Sequence, residues 1–211
     1  AVREAMRCMN CGNGASVSSD ACIACLTCVR VCPFEIPKIK EDENFAYIDN
    51  DCQSCGMCVV ECPAKAIEFK GPYEDMGKGQ LDEVFNKAKT SEPLIINFYC
   101  SYNLDLALSK EELPENIRQV NLLSLGKLSP GLILDAFEKG ADGVLITSCD
   151  DSCHFGDSCN TWAEQRAKTA IDFLASIGIE KERIKYHMLP DQDGDGFLQT
   201  ANQLIEEIKK L

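Results

Sequence analysis

The sequence is poor in basic residues, in histidine and in long apolar runs. Its 211 residues include 21 lysines and arginines against 34 aspartates and glutamates, which gives a formal net charge of −13. Such a surface repels the phosphates of nucleic acids and favours partners with basic docking patches, so nucleic-acid binding is not expected. No apolar run approaches the length of about 20 residues that spans a bilayer, so direct membrane insertion is not expected either.

The motifs of common catalytic sites are also missing. The chain has only two histidines, and it shows no Ser-His-Asp constellation, phosphate-binding glycine loop or dinucleotide fingerprint. A nicotinamide or flavin site within this chain is therefore not expected. The first residues lack the charged-then-apolar pattern of a secretory signal. Because the sequence begins at Ala1, we expect either a removed initiator methionine or a longer polypeptide of which this chain is a part.

Cysteine, by contrast, is abundant. Fourteen cysteines without a secretory signal indicate metal ligation in a reducing compartment, and hence a cytoplasmic protein. Eight of them form two copies of the pattern C-x2-C-x2-C-x3-C-P. The copies are Cys22, Cys25, Cys28 and Cys32 followed by Pro33, and Cys52, Cys55, Cys58 and Cys62 followed by Pro63.

This repeat is the signature of a bacterial-type ferredoxin domain with two [4Fe–4S] clusters. Three closely spaced thiolates bind one cluster, and the fourth, beyond a short helical turn, binds the other. The predicted ligands are Cys22, Cys25, Cys28 and Cys62 for the first cluster, and Cys52, Cys55, Cys58 and Cys32 for the second. A disulfide framework needs an oxidising compartment and a zinc site uses fewer cysteines, so both are weaker interpretations.

We place this α+β ferredoxin domain at residues 22–70. Its strands are predicted at Phe45–Asp49 and Ala66–Phe69 from their apolar alternation. The preceding stretch Gly14–Asp20 is small and polar and is predicted to be a loop. Residues 1–21 form a separate amino-terminal segment.

That segment contains a C-x2-C pair, Cys8 and Cys11. The run Arg3-Glu4-Ala5-Met6-Arg7-Cys8-Met9-Asn10-Cys11 resembles the linker that joins glutamate-synthase-type flavoprotein domains to an iron–sulfur module. The resemblance implies that the two cysteines can ligate a further cluster, which would need additional ligands from elsewhere. Free or structural thiols are the alternative.

The rest of the chain is predicted to be a linker with a helix, residues 71–91, followed by an α/β domain, residues 92–211. Strands are predicted at Leu94–Tyr99, Ile117–Leu123, Gly143–Thr147 and Arg183–Leu189, and helices at Leu104–Glu112, Pro130–Gly140, Trp162–Ile177 and Phe197–Lys210. This alternation indicates right-handed crossovers and a small four-stranded parallel sheet covered on both faces.

In a parallel sheet, ligands gather at the carboxyl ends of the strands. Cys100 and Cys149 follow the first and third predicted strands, and Cys153 and Cys159 are placed in the loop after Cys149. Three uses of these four cysteines are open: a [2Fe–2S] cluster, a zinc ion, or redox-active thiol pairs.

Three stretches of this domain carry a family resemblance: Phe98–Tyr102, Gly126–Pro130 and Ala136–Leu145. Residues 92–211 are similar to the delta subunit of methyl-viologen-reducing hydrogenase, which carries electrons into heterodisulfide reductase. Relatives fused to a two-cluster ferredoxin occur in heterodisulfide-reductase-like complexes. The resemblance implies an electron relay in an anaerobic redox complex, between a flavoprotein and a hydrogenase, formate dehydrogenase or heterodisulfide-reductase-like subunit.

The sequence departs from that family at positions that usually hold cysteine. Asn97 replaces the first cysteine of a C-x2-C that ends with Cys100, and Ser124 replaces a cysteine before the Gly126-Lys127 turn. Either Cys153 and Cys159 substitute as ligands of the family's [2Fe–2S] cluster, or the domain has lost that cluster and kept a docking role.

Three functional hypotheses follow. The first is a non-catalytic iron–sulfur subunit or domain that transfers electrons within an oxidoreductase complex. The second is a ferredoxin-fed thiol–disulfide reductase that uses Cys149, Cys153 and Cys159. The third is a cluster-free docking module fused to a ferredoxin.

Overall fold

The computed structural model describes residues 14–39, 42–69, 76–87, 93–100, 113–150, 153–189 and 194–211. The chain divides into two compact units, Ala1–Met76 and Gly77–Leu211. The segment with Cys8 and Cys11 and the predicted helix Leu104–Glu112 lie outside the described residues. Among the described helices, none combines the length and the apolar character needed to cross a membrane.

The first unit consists of short elements joined by cysteine-rich loops. Its strands are β1 (Ala15–Val17), β2 (Lys38–Ile39), β3 (Ala46–Tyr47) and β4 (Ile67–Phe69), and its helices are α1 (Thr27–Val31) and α2 (Met57–Glu61). Strand β1 pairs with β4, and β2 with β3, both antiparallel. The two helices contact each other. This is the ferredoxin-type α+β arrangement that the cysteine repeat predicts.

The two cysteine loops share a strained backbone. Left-handed φ angles occur at three pairs of positions, each thirty residues apart: Ala24 and Ser54, Leu26 and Gly56, and Glu35 and Lys65. A non-glycine residue in this region costs about 1 kcal/mol or more, so such residues persist only where the surroundings demand them. Because the same positions are affected in both copies, the loop conformation belongs to the repeat and not to one copy.

The second unit is an α/β domain. Its strands are β5 (Ile95–Cys100), β6 (Ile117–Leu122), β7 (Gly143–Cys149) and β8 (Ile184–Leu189), and its helices are α3 (Met76–Lys87), α4 (Pro130–Glu138), α5 (Asp157–Ser176) and α6 (Gly194–Ile208). The strands form one parallel sheet in the order β6-β5-β7-β8. The predicted four-stranded parallel sheet is confirmed, and its order places the carboxyl ends of β5 and β7 side by side.

Helices cover both faces of this sheet. On one face, Phe197 and Leu204 of α6 pack in a single buried cluster with Ile95 and Leu145. Phe98 points to the opposite face by strand alternation and is fully buried as well. Helices α4 and α5 contact β7 and β8, respectively. The sheet is therefore an internal layer, and its carboxyl edge is where side chains can meet a ligand.

Two sequence-based expectations about local structure are wrong. Gly14–Asp20 is not simply a loop, because Ala15–Val17 forms strand β1. Three residues are too few to show an alternating pattern, and this strand exists because it pairs with β4 about fifty residues later. Helix α5 begins at Asp157 and not at Trp162. Its first turn is polar apart from Cys159, so apolar periodicity did not reveal it.

Helix α4 offers a test of the local folding rules. The Ser129 hydroxyl caps this helix by accepting a hydrogen bond from the Leu132 N–H at 3.1 Å, and Pro130 opens it. We expect Ser129→Ala to lower the free energy of unfolding of the second unit by about 1 kcal/mol, because an orphan N–H loses its partner. Urea unfolding followed by the fluorescence of Trp162, the one tryptophan of the chain, measures this. Ser176→Ala, at an exposed site, serves as the control, and an equal effect of the two would contradict the capping role.

Candidate functional site

The eight cysteines of the repeat line two cavities in the first unit. One is lined by Cys22, Cys25, Cys28 and Cys62. The other is lined by Cys32, Cys52, Cys55 and Cys58. Each cavity thus receives three cysteines from one copy of the motif and the fourth from the other copy.

The short helices explain this exchange. Cys28 lies in α1, and Cys32 follows its last residue with an extended backbone, φ −77° and ψ 115°. Cys58 in α2 and Cys62 after it repeat the pattern, with φ −67° and ψ 111° at Cys62. The change from helical to extended backbone turns the fourth cysteine away from its own loop.

Gly14 belongs to this site, although sequence reasoning missed it. Its φ angle is 25°, and a Cβ atom in its place would lie 2.9 Å from Cβ of Cys52. Real Cβ atoms do not approach so closely, so only glycine lets the start of β1 pass this ligand loop. The sole signal in the sequence was a glycine in a polar stretch, which fits an ordinary loop equally well.

Backbone donors and apolar walls complete the cavities. The Ala46 N–H donates to Cys22 Sγ at 3.4 Å, and the Ala66 N–H donates to Cys62 Sγ at 3.3 Å. Ile36, Ile48 and Phe69 contribute apolar surface to the second cavity. Hydrogen bonds to sulfur and the exclusion of water are two means by which a protein sets the potential of an iron–sulfur cluster.

The thiols of this unit differ in acidity with their exposure. Burial, followed by the neighbouring thiols, raises the pKa of Cys58, and burial also raises the pKa of Cys28. At the exposed Cys25, a hydrogen bond with Thr27 lowers the thiol pKa. Several thiolates can share a buried cavity only when positive charge balances them, and metal ions supply that charge.

Four further cysteines meet at the carboxyl edge of the second unit. Cys100 and Cys149 are the last residues of β5 and β7, and Cys153 lies in the loop that follows. Cys159 lies in the first turn of α5, which corrects its predicted place in the loop. Cys100, Cys149 and Cys159 are buried, whereas Cys153 is partly exposed.

The four thiols form a continuous chain of side-chain contacts. The free thiols of Cys100 and Cys149, of Cys149 and Cys153, and of Cys153 and Cys159 are each joined by a hydrogen bond. The contact with Cys100 and burial raise the pKa of Cys149, and the contact with Cys149 raises the pKa of Cys153 to about 11. The contact with Cys153 and burial raise the pKa of Cys159. Without a bound cation, the thiols of Cys149, Cys153 and Cys159 stay protonated near neutral pH and are therefore weak nucleophiles.

The four cysteines at the carboxyl edge contact one another in successive pairs, and their sulfurs do not surround a common centre. Across the described residues, no three histidine, cysteine, aspartate or glutamate side chains are placed to hold a single metal ion. A zinc ion would draw four sulfurs to about 2.3 Å from one centre.

The two positions where the sequence lacks an expected cysteine have different surroundings. Asn97 is fully buried, and its Oδ1 accepts a hydrogen bond from the Thr147 hydroxyl at 2.8 Å. Ser124 is also fully buried, but its hydroxyl lies 3.2 Å from Cys159 Sγ. The structure therefore brings Ser124 into contact with Cys159, whereas Asn97 pairs with Thr147 on the neighbouring strand.

A turn held by Arg166 stands beside Cys159. The Gly126 N–H donates to Cys159 Sγ at 3.2 Å. Arg166, buried in α5, donates to the carbonyl oxygens of Gly126 at 2.7 Å and Leu128 at 3.1 Å. Sequence reasoning assigned neither Gly126 nor Arg166 to a site. A signal was available, because Arg166 follows Cys159 by seven residues and hence lies on the same side of the helix.

These observations define an iron–sulfur protein of the ferredoxin type, with an α/β domain that carries its own group of cysteines. A 4Fe-4S dicluster domain matches residues 21–67. The chain belongs to the family of the methyl-viologen-reducing hydrogenase delta subunit, which matches residues 95–211.

Several curated proteins are similar to this chain. The iron-sulfur subunit of the F420-non-reducing hydrogenase vhc of Methanococcus voltae is 32% identical over 130 residues, which cover 59% of this chain and 90% of that protein. The corresponding vhu iron-sulfur subunit of Methanococcus maripaludis is 31% identical over 127 residues, 57% of this chain and 94% of that protein. A subunit of the ferredoxin/F(420)H(2)-dependent CoB-CoM heterodisulfide reductase of Methanosarcina acetivorans is 32% identical over 129 residues, 58% of this chain but 16% of that protein.

Proposed function

We propose that this chain transfers electrons between redox partners through two [4Fe–4S] clusters and one [2Fe–2S] cluster. The observation that carries the proposal is the pair of cavities, each lined by four cysteines drawn from both motif copies. When bound, such clusters accept and release single electrons without a proton donor or a nucleophile. The chain itself supplies ligation, spacing and electrostatic environment.

In this proposal the ligand sets follow the cavities. Cys22, Cys25, Cys28 and Cys62 bind one [4Fe–4S] cluster, and Cys52, Cys55, Cys58 and Cys32 bind the other. The [2Fe–2S] cluster is bound by Cys100, Cys149, Cys153 and Cys159. Their fit to such a cluster rests on the donor set, four thiols in contact at one sheet edge, three of them buried. The proposed limits of the two cluster-binding domains are 22–70 and 92–211, with residues 1–21 as the amino-terminal segment and 71–91 as the linker. Strand β1 of the amino-terminal segment nevertheless pairs with β4 of the first unit, and most of helix α3 in the linker belongs to the second unit.

The proposed partners are components of a redox complex. Similarity to hydrogenase and heterodisulfide reductase subunits supports a hydrogenase-like or heterodisulfide-reductase-like partner on one side. We propose a flavoprotein on the other side, with a formate dehydrogenase as an alternative to the hydrogenase. The net charge of −13 favours basic docking patches on these partners. A cytoplasmic location agrees with the reducing conditions that free cysteines and iron–sulfur clusters require.

Iron and sulfide analysis of the anaerobically reconstituted chain, with EPR of the reduced protein, tests the cofactor content. We expect about ten irons per chain, of which two cubanes account for about eight. Joint substitution of Cys153 and Cys159 by serine should remove about two irons and the [2Fe–2S] signal, while Cys58→Ser should spare that signal. Reduced methyl viologen should bleach the visible absorption reversibly. A colourless protein, or zinc in place of iron, would overturn the proposal.

The same variants separate the other two functions. A thiol–disulfide reductase would lose turnover of a disulfide substrate on substitution of Cys149, Cys153 or Cys159 while every cluster remained. The raised pKa values of these thiols disfavour that chemistry. A docking module would show only about eight irons, and removal of residues 92–211 would abolish complex assembly but leave the remaining clusters reducible.

A further inference from the structure

Two hydrogen-bond donors converge on the sulfur of Cys159. The Ser124 hydroxyl and the backbone N–H of Gly126 each lie 3.2 Å from Cys159 Sγ. Ser124 and Cys159 are 0% and 1% exposed, so water does not compete for these contacts. Cys159 is the only one of the four cysteines at the sheet edge with this pair of donors among the described contacts.

The direction of the Ser124 bond is decided by the state of the sulfur. A thiolate that ligates a metal carries no proton, so it can only accept. The Ser124 oxygen already accepts a bond from the Gly126 N–H at 3.0 Å. The same Gly126 N–H also donates to Cys159 Sγ, so it is shared between the two acceptors. With a thiolate at Cys159, the Ser124 hydroxyl hydrogen points at the sulfur, and the Ser124 oxygen, the Gly126 nitrogen and the Cys159 sulfur form a triangle of hydrogen bonds.

Arg166 fixes this triangle to the helix that carries Cys159. Arg166 is 5% exposed, and its guanidinium donates to the carbonyl oxygens of Gly126, in the 3₁₀ turn Leu125–Lys127, and of Leu128, which caps that turn. The guanidinium carbon lies over the Trp162 ring, 5.7 Å from the ring centroid. Arg166 lies about two helical turns after Cys159 in α5. Its hydrogen bonds therefore fix the turn with Ser124 and Gly126 relative to the helix that carries Cys159.

We propose that Ser124 and the Gly126 N–H raise the reduction potential of the cluster bound through Cys159, and that Arg166 is the positioning residue for both donors. This rests on the [2Fe–2S] cluster of the proposed function. Hydrogen bonds to a ligand sulfur withdraw charge from it and so favour the more negative, reduced form of the cluster. The cluster concerned is the one proposed for the α/β unit, because Ser124 contacts Cys159, a proposed ligand of that cluster.

The test is an EPR-monitored redox titration of the full, anaerobically reconstituted chain. Ser124→Ala should make the [2Fe–2S] midpoint potential more negative by about 59 mV, which is a tenfold change for a one-electron couple. The [4Fe–4S] potentials should not move and act as an internal reference. Ser129→Ala is the matched control, since it also removes the hydroxyl of a capping serine, but one whose described hydrogen bond is with Leu132 and not with Cys159.

Arg166 is tested by comparing Arg166→Lys with Arg166→Met. A lysine keeps the charge but lacks the planar fork that binds two carbonyl oxygens. If Arg166 acts by position, both variants lower the potential in the same direction, and both shift the Fe–S stretching band in resonance Raman spectra as Ser124→Ala does. If the charge acts alone, Arg166→Lys keeps the potential of the unaltered chain, and the positioning role is overturned.

The outcomes for the two proposals are distinct. An unchanged midpoint potential in a Ser124→Ala chain that still shows the [2Fe–2S] signal overturns this inference and leaves the proposed function standing. Absence of any [2Fe–2S] signal from the unaltered chain overturns the proposed cofactor, and this inference falls with it.

Discussion

Joint replacement of Cys28 and Cys58 by alanine is expected to abolish iron binding in both cavities of the first unit and to unfold that unit. Each substitution removes one buried sulfur from a different cavity. The apolar core of the unit is too small to compensate. Three of its buried residues are alanines, and the large ones are Val31, Met57, Ile67 and Phe69. Domains of this size usually need metals or disulfides to remain folded.

The measurement uses the position of the single tryptophan. Trp162 lies in the second unit, so its fluorescence and urea midpoint should stay unchanged while iron falls from about ten to about two per chain. Limited proteolysis should then degrade the first unit and leave a fragment of the second. The matched control is joint replacement of Cys153 and Cys159, which should remove about two irons and keep about eight. Retention of about eight irons would show that these sulfurs are dispensable and that the assignment of ligands is wrong.

Phe197→Ala is expected to have the largest effect on the second unit. The ring is fully buried on α6 and packs in the cluster that contains Ile95, Leu145 and Leu189. Removing it costs the transfer free energy of the ring and leaves a cavity between helix and sheet. We expect the free energy of unfolding to fall by about 3–5 kcal/mol, which is a large part of the roughly 5–15 kcal/mol that stabilises a typical domain.

Phe173→Ala provides the comparison for that result. Phe173 lies on α5 with 54% of its surface exposed, so its removal should change stability by no more than about 0.5 kcal/mol. Urea unfolding monitored by Trp162 fluorescence measures both variants, and the iron content should be the same in both. Similar losses for the two phenylalanines would mean that α6 does not carry the core of this unit.

Much of this architecture was readable from local patterns. The C-x2-C-x2-C-x3-C-P repeat indicates a ferredoxin-type domain, because cluster ligation requires a specific spacing of thiolates along the chain. The alternation of apolar strands with helices from Glu92 onward predicts a parallel sheet, since parallel strands need crossovers. Both predictions are confirmed by the fold and the family matches. The iron ligands themselves stay a prediction, although the structure gathers the expected cysteines around two cavities.

The carboxyl edge of the sheet was only partly readable. The positions of Cys100 and Cys149 at the carboxyl edge follow from the strand pattern, whereas the sheet order decides that their strands are adjacent. Cys159 was misplaced because the start of α5 is polar. In the sequence, Asn97 and Ser124 look equivalent, because each occupies a position that usually holds cysteine in the family. The structure separates them, since Asn97 pairs with Thr147 and Ser124 with Cys159.

Cysteine spacing and hydrophobic periodicity therefore determined the domain types, the four strands of the α/β domain and the cysteine groups, because both patterns are formed by residues close together in the sequence. They did not reveal β1 and β2 of the first unit. Tertiary packing alone decided which side chains surround the sulfur of Cys159. Ser124 and Cys159 are 35 residues apart, and Arg166 and Gly126 are 40. Contacts over such distances depend on how the 3₁₀ turn docks against α5, and no local pattern encodes that geometry.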